Sequence, residues 1–259
     1  MKIASFNCNG IRPRLNIVLN WLQKESPDVL CLQETKVQDA HFPKQAFESI
    51  QYNCVFKGQK TYNGVAILSR IHLDDIQVGF GDGDASEEPR LIRGKINNVP
   101  IVNTYIPQGN FPLSRQFQYK LNWFERIHSY FAKNFDPNEP LLWVGDFNVA
   151  PEPIDVYDPD KLLGKIGYHP AEHKALQKVK VWGFEDVFRK HQQGPGHYTF
   201  WDYRIPNALA RKMGWRVDHI WATRCLAEES TRAWIDVGPR LLEKPSDHTF
   251  IIAEFSFSG

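Results

Sequence analysis

The chain alternates short apolar runs with segments in which apolar residues recur at helical spacing, and this alternation continues from one end to the other. Apolar runs bounded by Gly, Pro or Asn predict β-strands, because buried strands are short and are closed by turn residues. The predicted strands are Lys2–Asn7, Val29–Gln33, Asn53–Lys57, Gly64–Ser69, Leu91–Lys95, Pro100–Tyr105, Leu141–Val144, Tyr198–Trp201, Arg216–Trp221 and Phe250–Phe257.

Three segments have the apolar stripe of an amphipathic helix. The first lies between the first two strands and is marked by Leu15, Val18 and Leu22; the others are Ser114–Lys133 and Pro170–Val181. Pairs of strands alternate with single helices, which fits neither a purely parallel sheet nor an all-β sandwich. The pattern therefore predicts an α/β fold with two packed mixed β-sheets and helices outside.

The spacing of these elements bears on domain organisation. No linker rich in Gly, Ser or charge interrupts the pattern, so we expect one domain over residues 1–259. Two segments rich in Pro, Gly, aromatic and charged residues, Pro151–Pro170 and Gln192–Trp215, are predicted to be long surface loops. Loops of that length in a compact domain are usually functional.

Composition limits the classes of protein that remain. With 42% hydrophobic residues the chain has material for a large core, and a disordered protein is excluded. The formal charge of +1 predicts no polyanion partner, so any nucleic-acid site must be a local patch. No stretch approaches the roughly 20 apolar residues that cross a bilayer or resembles a signal peptide, so we expect a cytoplasmic protein without membrane contact. The scattered cysteines indicate reduced thiols.

Oxygen-bearing and acid–base side chains lie at the ends of four predicted strands, where a rigid scaffold can aim them into a cleft. Asp146 and Asn148 are two residues apart, so an extended backbone would point both to one side while Phe147 faces the core. A turn after a strand would suit this motif equally well. Glu34 follows a predicted buried strand, and taken alone it is more often a solvated strand terminus.

Two further motifs combine carboxylates with histidine. Asp247 and His248 are adjacent just before the last strand and can supply a metal ligand and an acid–base group together, an interpretation that we favour over a polar turn. Asp218 lies in a predicted strand and needs a partner, for which a histidine, Arg216 or a backbone amide would serve.

The candidate site is rich in Asp, Glu and Asn, and no pair of His or Cys has transition-metal spacing. These donors favour Mg²⁺ or Mn²⁺ over zinc and suit phosphoryl chemistry, in which a hard cation neutralises charge on the phosphate. The sequence has no G-x-S-x-G elbow, no Walker loop and no G-x-G-x-x-G run. Acyl transfer, ATP hydrolysis and hydride transfer therefore lose support.

Seven motifs, spread over essentially the whole chain, occur in the order of one known family. With them the chain resembles the bacterial and archaeal exonuclease III type of abasic-site endonuclease, within the DNase I-like endonuclease/exonuclease/phosphatase superfamily. The motifs are Ser5–Arg12, Asp28–Lys36, Asn63–Ile67, Asn103–Pro107, Gly145–Ala150, Gly214–Asp218 and Pro245–His248.

This resemblance implies a four-layer α/β sandwich whose site lies where the loops of the two sheets meet. It also implies that Glu34 is the main Mg²⁺ ligand, with Asp247 contributing and Asn7 nearby, and that Mn²⁺ could substitute. Asn9 departs from some relatives, which carry Asp there. A neutral side chain would weaken a second metal contribution, so we expect a single-metal site.

The resemblance further implies the catalytic roles. Asp146 would orient or deprotonate the attacking water, while Asn148 and Tyr105 would hold phosphate oxygens. His248, buttressed by Asp218, would donate to the phosphate or share the role of base, and the choice of base stays open.

Substrate selection is expected in the aromatic loops. By resemblance, Phe200, Trp201 and Trp215 would accept a flipped, base-free deoxyribose, although for Trp201 a core position is equally expected. Arg216 beside them would bind substrate. Other basic residues that could track phosphates are Arg204, Arg211 and Lys212 near the aromatics, and Arg12, Lys36, Lys57 and Lys60 near other strand ends.

The implied function is a monomeric DNA repair nuclease acting on double-stranded DNA with abasic or 3′-blocked sites. It would hydrolyse the phosphodiester 5′ to the abasic site and act as a 3′-phosphodiesterase and 3′–5′ exonuclease. Gly164 and Gly167 would leave room for a continuous strand. The alternatives are a superfamily phosphoesterase on inositol phosphates, sphingomyelin or nucleotides, and a non-catalytic nucleic-acid-binding relative.

Overall fold

The apolar runs form two six-stranded mixed sheets in a computed structural model that describes residues 1–84 and 86–256. The strands are β1 (Lys2–Asn7), β2 (Val29–Gln33), β3 (Asn53–Lys57), β4 (Val65–Ser69), β5 (Asp74–Val78), β6 (Leu91–Ile96), β7 (Val99–Tyr105), β8 (Leu142–Asp146), β9 (Phe184–Asp186), β10 (Asp218–Thr223), β11 (Ser230–Asp236) and β12 (Phe250–Phe255). The helices are α1 (Ile11–Glu25), α2 (Lys44–Glu48), α3 (Arg115–Asn134), α4 (Pro159–Leu162), α5 (Pro170–Val181), α6 (Val187–His191) and α7 (Arg224–Glu228).

The two sheets share one topological feature. The first has the order β11-β12-β1-β2-β4-β3 and the second β5-β6-β7-β8-β10-β9. Each contains one parallel pair, β1 with β2 and β7 with β8, among antiparallel neighbours. The parallel pairs are connected through α1 and α3, respectively, as parallel strands require a long crossover.

The layers follow from where the apolar side chains point. Helix α1 covers the outer face of the first sheet with Val18 and Leu22, and α3 and α5 cover the second with Phe124, Ile127 and Leu176. The facing sides of the two sheets are packed together, and the predicted layers of helix, sheet, sheet and helix are observed. Buried residues between the sheets include Val29, Ile67, Ile101, Val144 and Ile251.

Helix ends follow local signals. Helix α3 begins after Ser114, whose hydroxyl accepts a bond from the Phe117 amide, and α5 has its predicted bounds, Pro170–Val181. Helix α1 ends at Glu25 and is capped by Ser26, which adopts a left-handed conformation (φ 46°) before Pro27. The short helices α2, α4, α6 and α7 are not predicted because four or five residues carry too little periodicity.

Several strand predictions need correction. Strands β5, β9 and β11 are missed, and all three are sheet edges with polar or very short sequences. Tyr198–Trp201 is not a ladder strand; Phe200 forms only isolated bridges with Trp215 and His248. Tyr198 and Trp201 of this segment pack in a small cluster with Ala208. The strand predicted from Arg216 begins at Asp218, and Phe257 lies outside the described residues.

No helix among residues 1–84 and 86–256 is long and apolar enough to cross a membrane.

Candidate active site

The ends of four strands bring the predicted polar residues to one place. Parallel pairing of β1 with β2 sets Asn7 opposite Gln33, directly before Glu34. Antiparallel pairing of β8 with β10 sets Asp146 opposite Asp218 in the second sheet. Because the sheets face each other, side chains from both meet at this edge. Parallel pairing of β7 with β8 sets Tyr105 beside Asp146.

The backbone at this edge is strained. Glu34 and Asn148 both adopt left-handed conformations, with φ of 51° and 52°. Asn tolerates this region, but for a glutamate it costs about 1–2 kcal/mol and persists only where the surroundings enforce it. The Glu34 carbonyl accepts a 2.7 Å bond from the Gly10 amide. At Gly145 (φ 139°) a Cβ atom would lie 2.0 Å from the Thr104 carbonyl oxygen, so only glycine fits.

Asn7 connects the two sheets at the site. Its side-chain nitrogen donates to Glu34 Oε1 and to Asp146 Oδ2, both at 2.8 Å. Its oxygen accepts from the Asn9 amide at 3.0 Å. Since two carboxylates can only accept, the NH₂ group of Asn7 must face them. Asn7 therefore fixes the distance between Glu34 and Asp146.

Asp218 has the histidine partner that the sequence suggested. His248 Nδ1 lies 2.8 Å from Asp218 Oδ2, and His248 Nε2 faces Asp146 Oδ2 at 3.9 Å. All three side chains are buried. We call Glu34, Asp146, Asp218 and His248 the Asp–His cluster.

The charges of this cluster oppose the cost of burial. Burial disfavours the imidazolium, but the carboxylates of Asp218 and Asp146 outweigh this effect and raise the pKa of His248. Burial also raises the pKa of Asp146, with Asp218 adding to the effect, while His248 counteracts it. Both groups therefore bind a proton more tightly than the same side chains would in water.

Asp146 and Asn148 converge as their spacing predicts. The Asn148 backbone amide donates to Asp146 Oδ1 at 2.8 Å, and its side-chain nitrogen donates to Asp146 Oδ2 at 3.2 Å and to the Ile106 carbonyl at 2.9 Å. Phe147 points the other way and stacks on Trp143 at 4.0 Å. The strand-end turn thus presents one carboxylate in a fixed orientation.

The site contains a group of side chains that could hold a metal ion, with His248 as a ligand only in its neutral form. One ligand atom each from Glu34, Asp146 and His248 lies within 4.8 Å of the other two. Burial favours the protonated form of Glu34, but Lys36, whose Nζ is 2.8 Å from Glu34 Oε2, and Asn7 lower the pKa of that carboxyl. An ionised carboxylate beside a second one fits a hard divalent cation.

Asp247, the other predicted ligand, lies at the margin of this group. Its Oδ1 accepts a 2.9 Å bond from Asn9 Nδ2 and it is not among the three clustered donors. Asn9 in turn accepts from Lys36. Its neutral amide therefore links Asp247 to the Lys36 ammonium in place of a second carboxylate.

A cavity of about 530 Å³ opens beside the Asp–His cluster. Phe200 and Trp215 form part of its apolar wall, and the Phe200 ring lies 4.8 Å from the His248 ring. Further lining residues were not predicted, because they lie outside the motifs of the sequence. They are Gln108, Tyr157, Leu162, Ile166 and Tyr203.

Two predicted substrate contacts are corrected. Trp201 is 4% exposed and packs with Tyr198 and Ala208, so it belongs to the core. Arg216 is fully buried: its guanidinium binds Asp155 at 2.7 and 3.0 Å and Asp186 at 2.7 Å. It therefore supports the segment before β10 that carries Trp215, and it does not line the cavity. We call Asp155, Asp186, Arg189, Arg216 and His219 the Arg216 cluster.

The predicted phosphate-tracking residues are dispersed. Lys36 and Arg204 line the cavity, although Arg204 is paired with Asp202. Lys57 is paired with Asp39 at 3.0 Å. The remaining predicted cations are exposed on the surface, namely Arg12, Lys60, Arg211 and Lys212.

Comparison with known proteins identifies the class to which this fold and site belong. Residues 4–248 match the endonuclease/exonuclease/phosphatase family, and the chain belongs to that family. It is 33% identical over 267 residues to exodeoxyribonuclease III of Haemophilus influenzae, covering 98% of this chain and 100% of that protein.

Solved structures give the same result. An AP endonuclease from Archaeoglobus fulgidus has a TM-score of 0.95 at 46% identity, covering 99% of this chain and 100% of the other. The 3′ phosphatase NExo from Neisseria, bound to a product DNA hairpin, has a TM-score of 0.94 at 35% identity over the same shares. The predicted family resemblance and fold class are confirmed.

Proposed function

We propose that this protein is a Mg²⁺-dependent DNA repair nuclease that hydrolyses the phosphodiester 5′ to an abasic site, with 3′-phosphodiesterase and 3′–5′ exonuclease activity. The observation that carries the proposal is the Asp–His cluster, in which His248 Nε2 is 3.9 Å from Asp146 beside an apolar cavity. Relatives named exodeoxyribonuclease III, AP endonuclease and 3′ phosphatase support the substrate class.

The proposed metal site rests on chemistry that the donors can supply. Glu34 would be the main Mg²⁺ ligand, with Asp247 contributing and Asn7 fixing Glu34 against Asp146; Mn²⁺ would substitute. The bound cation would supply Lewis-acid stabilisation of charge on the phosphate. A single ion is proposed, because Asn9 occupies the position from which a further carboxylate would reach Asp247.

Asp146 and His248 would divide the proton transfers. The pKa of Asp146 is raised by burial, which makes this carboxylate a better base near neutral pH for the attacking water. His248 is held as an imidazolium by Asp218 and would donate to a phosphate oxygen. We therefore propose Asp146 as the base and His248 as the donor.

Asn148 and Tyr105 would hold phosphate oxygens. Burial, followed by the charges of Glu34 and Asp146, raises the pKa of Tyr105 well above its ordinary value, so the phenol remains a donor. The Asn148 amide is oriented by its bonds to Asp146 and to the Ile106 carbonyl. Neutral donors of this kind stabilise charge that develops on the phosphate.

The preference for abasic DNA would come from the cavity wall. Phe200 and Trp215 form an apolar surface next to His248, suited to a deoxyribose without a base. We also propose that residues 1–259 form one domain and act as a cytoplasmic monomer. A single copy carries every residue proposed for the site.

The test is a cleavage assay on three labelled duplexes with Mg²⁺ or EDTA. One contains a single abasic site, one a nick with a 3′-phosphate, and one a recessed 3′ end. We expect a cut 5′ to the abasic site and release of the 3′-phosphate, both abolished by EDTA and restored by Mg²⁺. Phosphate release from a phosphoinositide with intact abasic DNA would instead support a phosphoesterase with another substrate. DNA binding without cleavage at saturating Mg²⁺ would support a non-catalytic relative.

A further inference from the structure

A buried ion pair outside the Asp–His cluster contacts three residues that line the cavity. Lys120 of α3 and Glu172 of α5 are fully buried and are bound to each other. Neither side chain lines the cavity. A buried ion pair usually contributes little net stability compared with apolar residues of the same volume, because both charges lose their hydration. Apolar residues could therefore hold α3 and α5 together equally well, and these charges need another explanation.

Lys120 uses its remaining donors on backbone carbonyls of the site. Its Nζ donates to the Asn148 carbonyl at 2.8 Å and to the Gln108 carbonyl at 3.2 Å. Asn148 and Gln108 both line the cavity, in the segments that follow β8 and β7. Asn148 is also in the left-handed conformation, which its surroundings must maintain.

Glu172 holds a further segment that lines the cavity. Its Oε2 accepts from the Gly167 amide at 2.8 Å and from the His169 amide at 3.1 Å. Gly167 lines the cavity, in the segment between α4 and α5. One carboxylate thus ties this segment to Lys120 and, through Lys120, to Asn148.

We propose that Lys120 and Glu172 are positioning residues that keep the Asn148 turn and the Gly167 segment at a fixed separation. The proposal rests on the proposed nuclease function. Lys120 sets the orientation of Asn148, a group at the reacting phosphate, so its loss acts on kcat. Glu172 sets the Gly167 segment, a wall for the bound strand, so its loss acts on KM.

The experiment compares Lys120→Met and Glu172→Gln with the wild type on the abasic duplex at saturating Mg²⁺. For Lys120→Met we expect kcat to fall about tenfold or more with KM within about threefold, since small misplacements of reacting groups are costly. For Glu172→Gln we expect KM to rise about tenfold with kcat within about threefold. Glutamine retains one acceptor but turns an NH₂ group toward either Lys120 or the two amides.

A core variant provides the matched control. Leu226→Ala removes a buried side chain of α7. This helix follows the last residue of β10, whereas Asp218 is the first residue of that strand. It lowers stability by about 2–5 kcal/mol without touching the cavity, so kcat and KM of the folded fraction should match the wild type. If either single variant does not fold, the double variant Lys120→Met/Glu172→Met removes both charges together. Its kcat should be lower and its KM higher than those of the wild type.

Hydrogen exchange provides a readout independent of activity. Exchange at the Gly167 and His169 amides should rise in Glu172→Gln and in the double variant, but not in Leu226→Ala. Wild-type kcat and KM in folded variants would overturn the positioning role, as would losses no larger than those of Leu226→Ala. If the wild type itself fails to cut the abasic duplex, the nuclease proposal fails. Unchanged exchange at these amides would contradict only the proposal that Glu172 anchors the Gly167 segment.

Discussion

Two buried charged clusters lie side by side in this protein and have opposite electrostatic character. In the Arg216 cluster, burial disfavours the ionised carboxylates of Asp155 and Asp186, but Arg216 outweighs it and lowers both pKa values. In the Asp–His cluster, burial and a neighbouring carboxylate raise the pKa of Asp146. In the first cluster the charge of Arg216 outweighs the effect of burial on both carboxylates, whereas in the second the charge of His248 does not outweigh that effect at Asp146.

The hydrogen bonding differs in the same way. Both oxygens of Asp155 are bound by arginine, and His219 is bound at both ring nitrogens, to Arg216 at 3.0 Å and to the Val149 carbonyl at 2.9 Å. In the Asp–His cluster, Asp218 Oδ1 is buried without a partner among the described residues. A satisfied network stabilises one geometry, whereas incomplete satisfaction beside a cavity is characteristic of a reactive site.

The largest expected difference concerns Asp146→Asn. We expect turnover on abasic DNA to fall by about 10³-fold or more, because the amide cannot accept a proton from water. DNA affinity should change little. Stability at neutral pH should be unchanged or higher, since a buried carboxylate with a raised pKa opposes folding once ionised. Single-turnover cleavage and urea unfolding measure both effects, and wild-type turnover would contradict the assigned role.

Arg216→Met should have the converse result. It leaves Asp155 and Asp186 buried without their main partner, so we expect the free energy of unfolding to fall by about 3–5 kcal/mol. The folded fraction should retain most of its kcat. Arg204→Met is the matched control, because its exposed pair with Asp202 should contribute within about 1 kcal/mol. Urea unfolding of both variants measures the difference. Equal, small decreases in the free energy of unfolding would mean that the Arg216 cluster is not a stabilising network.

A pH titration of stability probes His219. Burial, followed by the charge of Arg216, lowers the pKa of His219 to about 4. Below pH 6.5 the unfolded chain binds a proton at this residue and the folded protein does not. Stability should therefore fall as the pH decreases from 6.5 toward 4, by up to about 3 kcal/mol from this group. His219→Gln, which can still donate to Val149 and accept from Arg216, should flatten this part of the curve. If the curves of stability against pH were the same for the wild type and His219→Gln, they would contradict the lowered pKa of His219.

The smallest effect is expected for Glu34→Gln. Replacing the ionised carboxylate should raise the Mg²⁺ concentration for half-maximal activity by about tenfold or more, with less change in the rate at saturating Mg²⁺. Asn7 should still contact the side-chain oxygen, so folding should be unaffected. A Mg²⁺ titration of cleavage measures the shift. An unchanged midpoint would remove Glu34 from the metal site.

The contrast between the clusters also explains what the sequence could predict. The convergence of Asp146 and Asn148 follows from a two-residue spacing, and the pairing of Asp218 with a histidine follows from the cost of a buried carboxylate. Arg216 was misassigned because its partners Asp155 and Asp186 are distant along the chain and lie in segments with no motif. A basic residue between aromatics has the same local pattern whether it faces solvent or a buried carboxylate.

Strand prediction failed for a related reason. Strands β5, β9 and β11 are edges held by one neighbour each, so their side chains need not be apolar on both faces. The central strands are buried throughout and were predicted close to their observed bounds, as for β2 and β4. Local pattern is informative where burial decides the residue type, and uninformative where a distant partner decides it.

The central claim is that the Asp–His cluster directs water to a phosphodiester. The most direct test is cleavage of a duplex with one abasic site in H₂¹⁸O with Mg²⁺, followed by mass spectrometry of both fragments. We expect a 3′-hydroxyl on the upstream fragment and one ¹⁸O in the 5′-phosphate of the downstream fragment, formed about 10³-fold or more slowly by Asp146→Asn. Cleavage on the 3′ side of the abasic site, leaving an unsaturated sugar without ¹⁸O, would contradict the account.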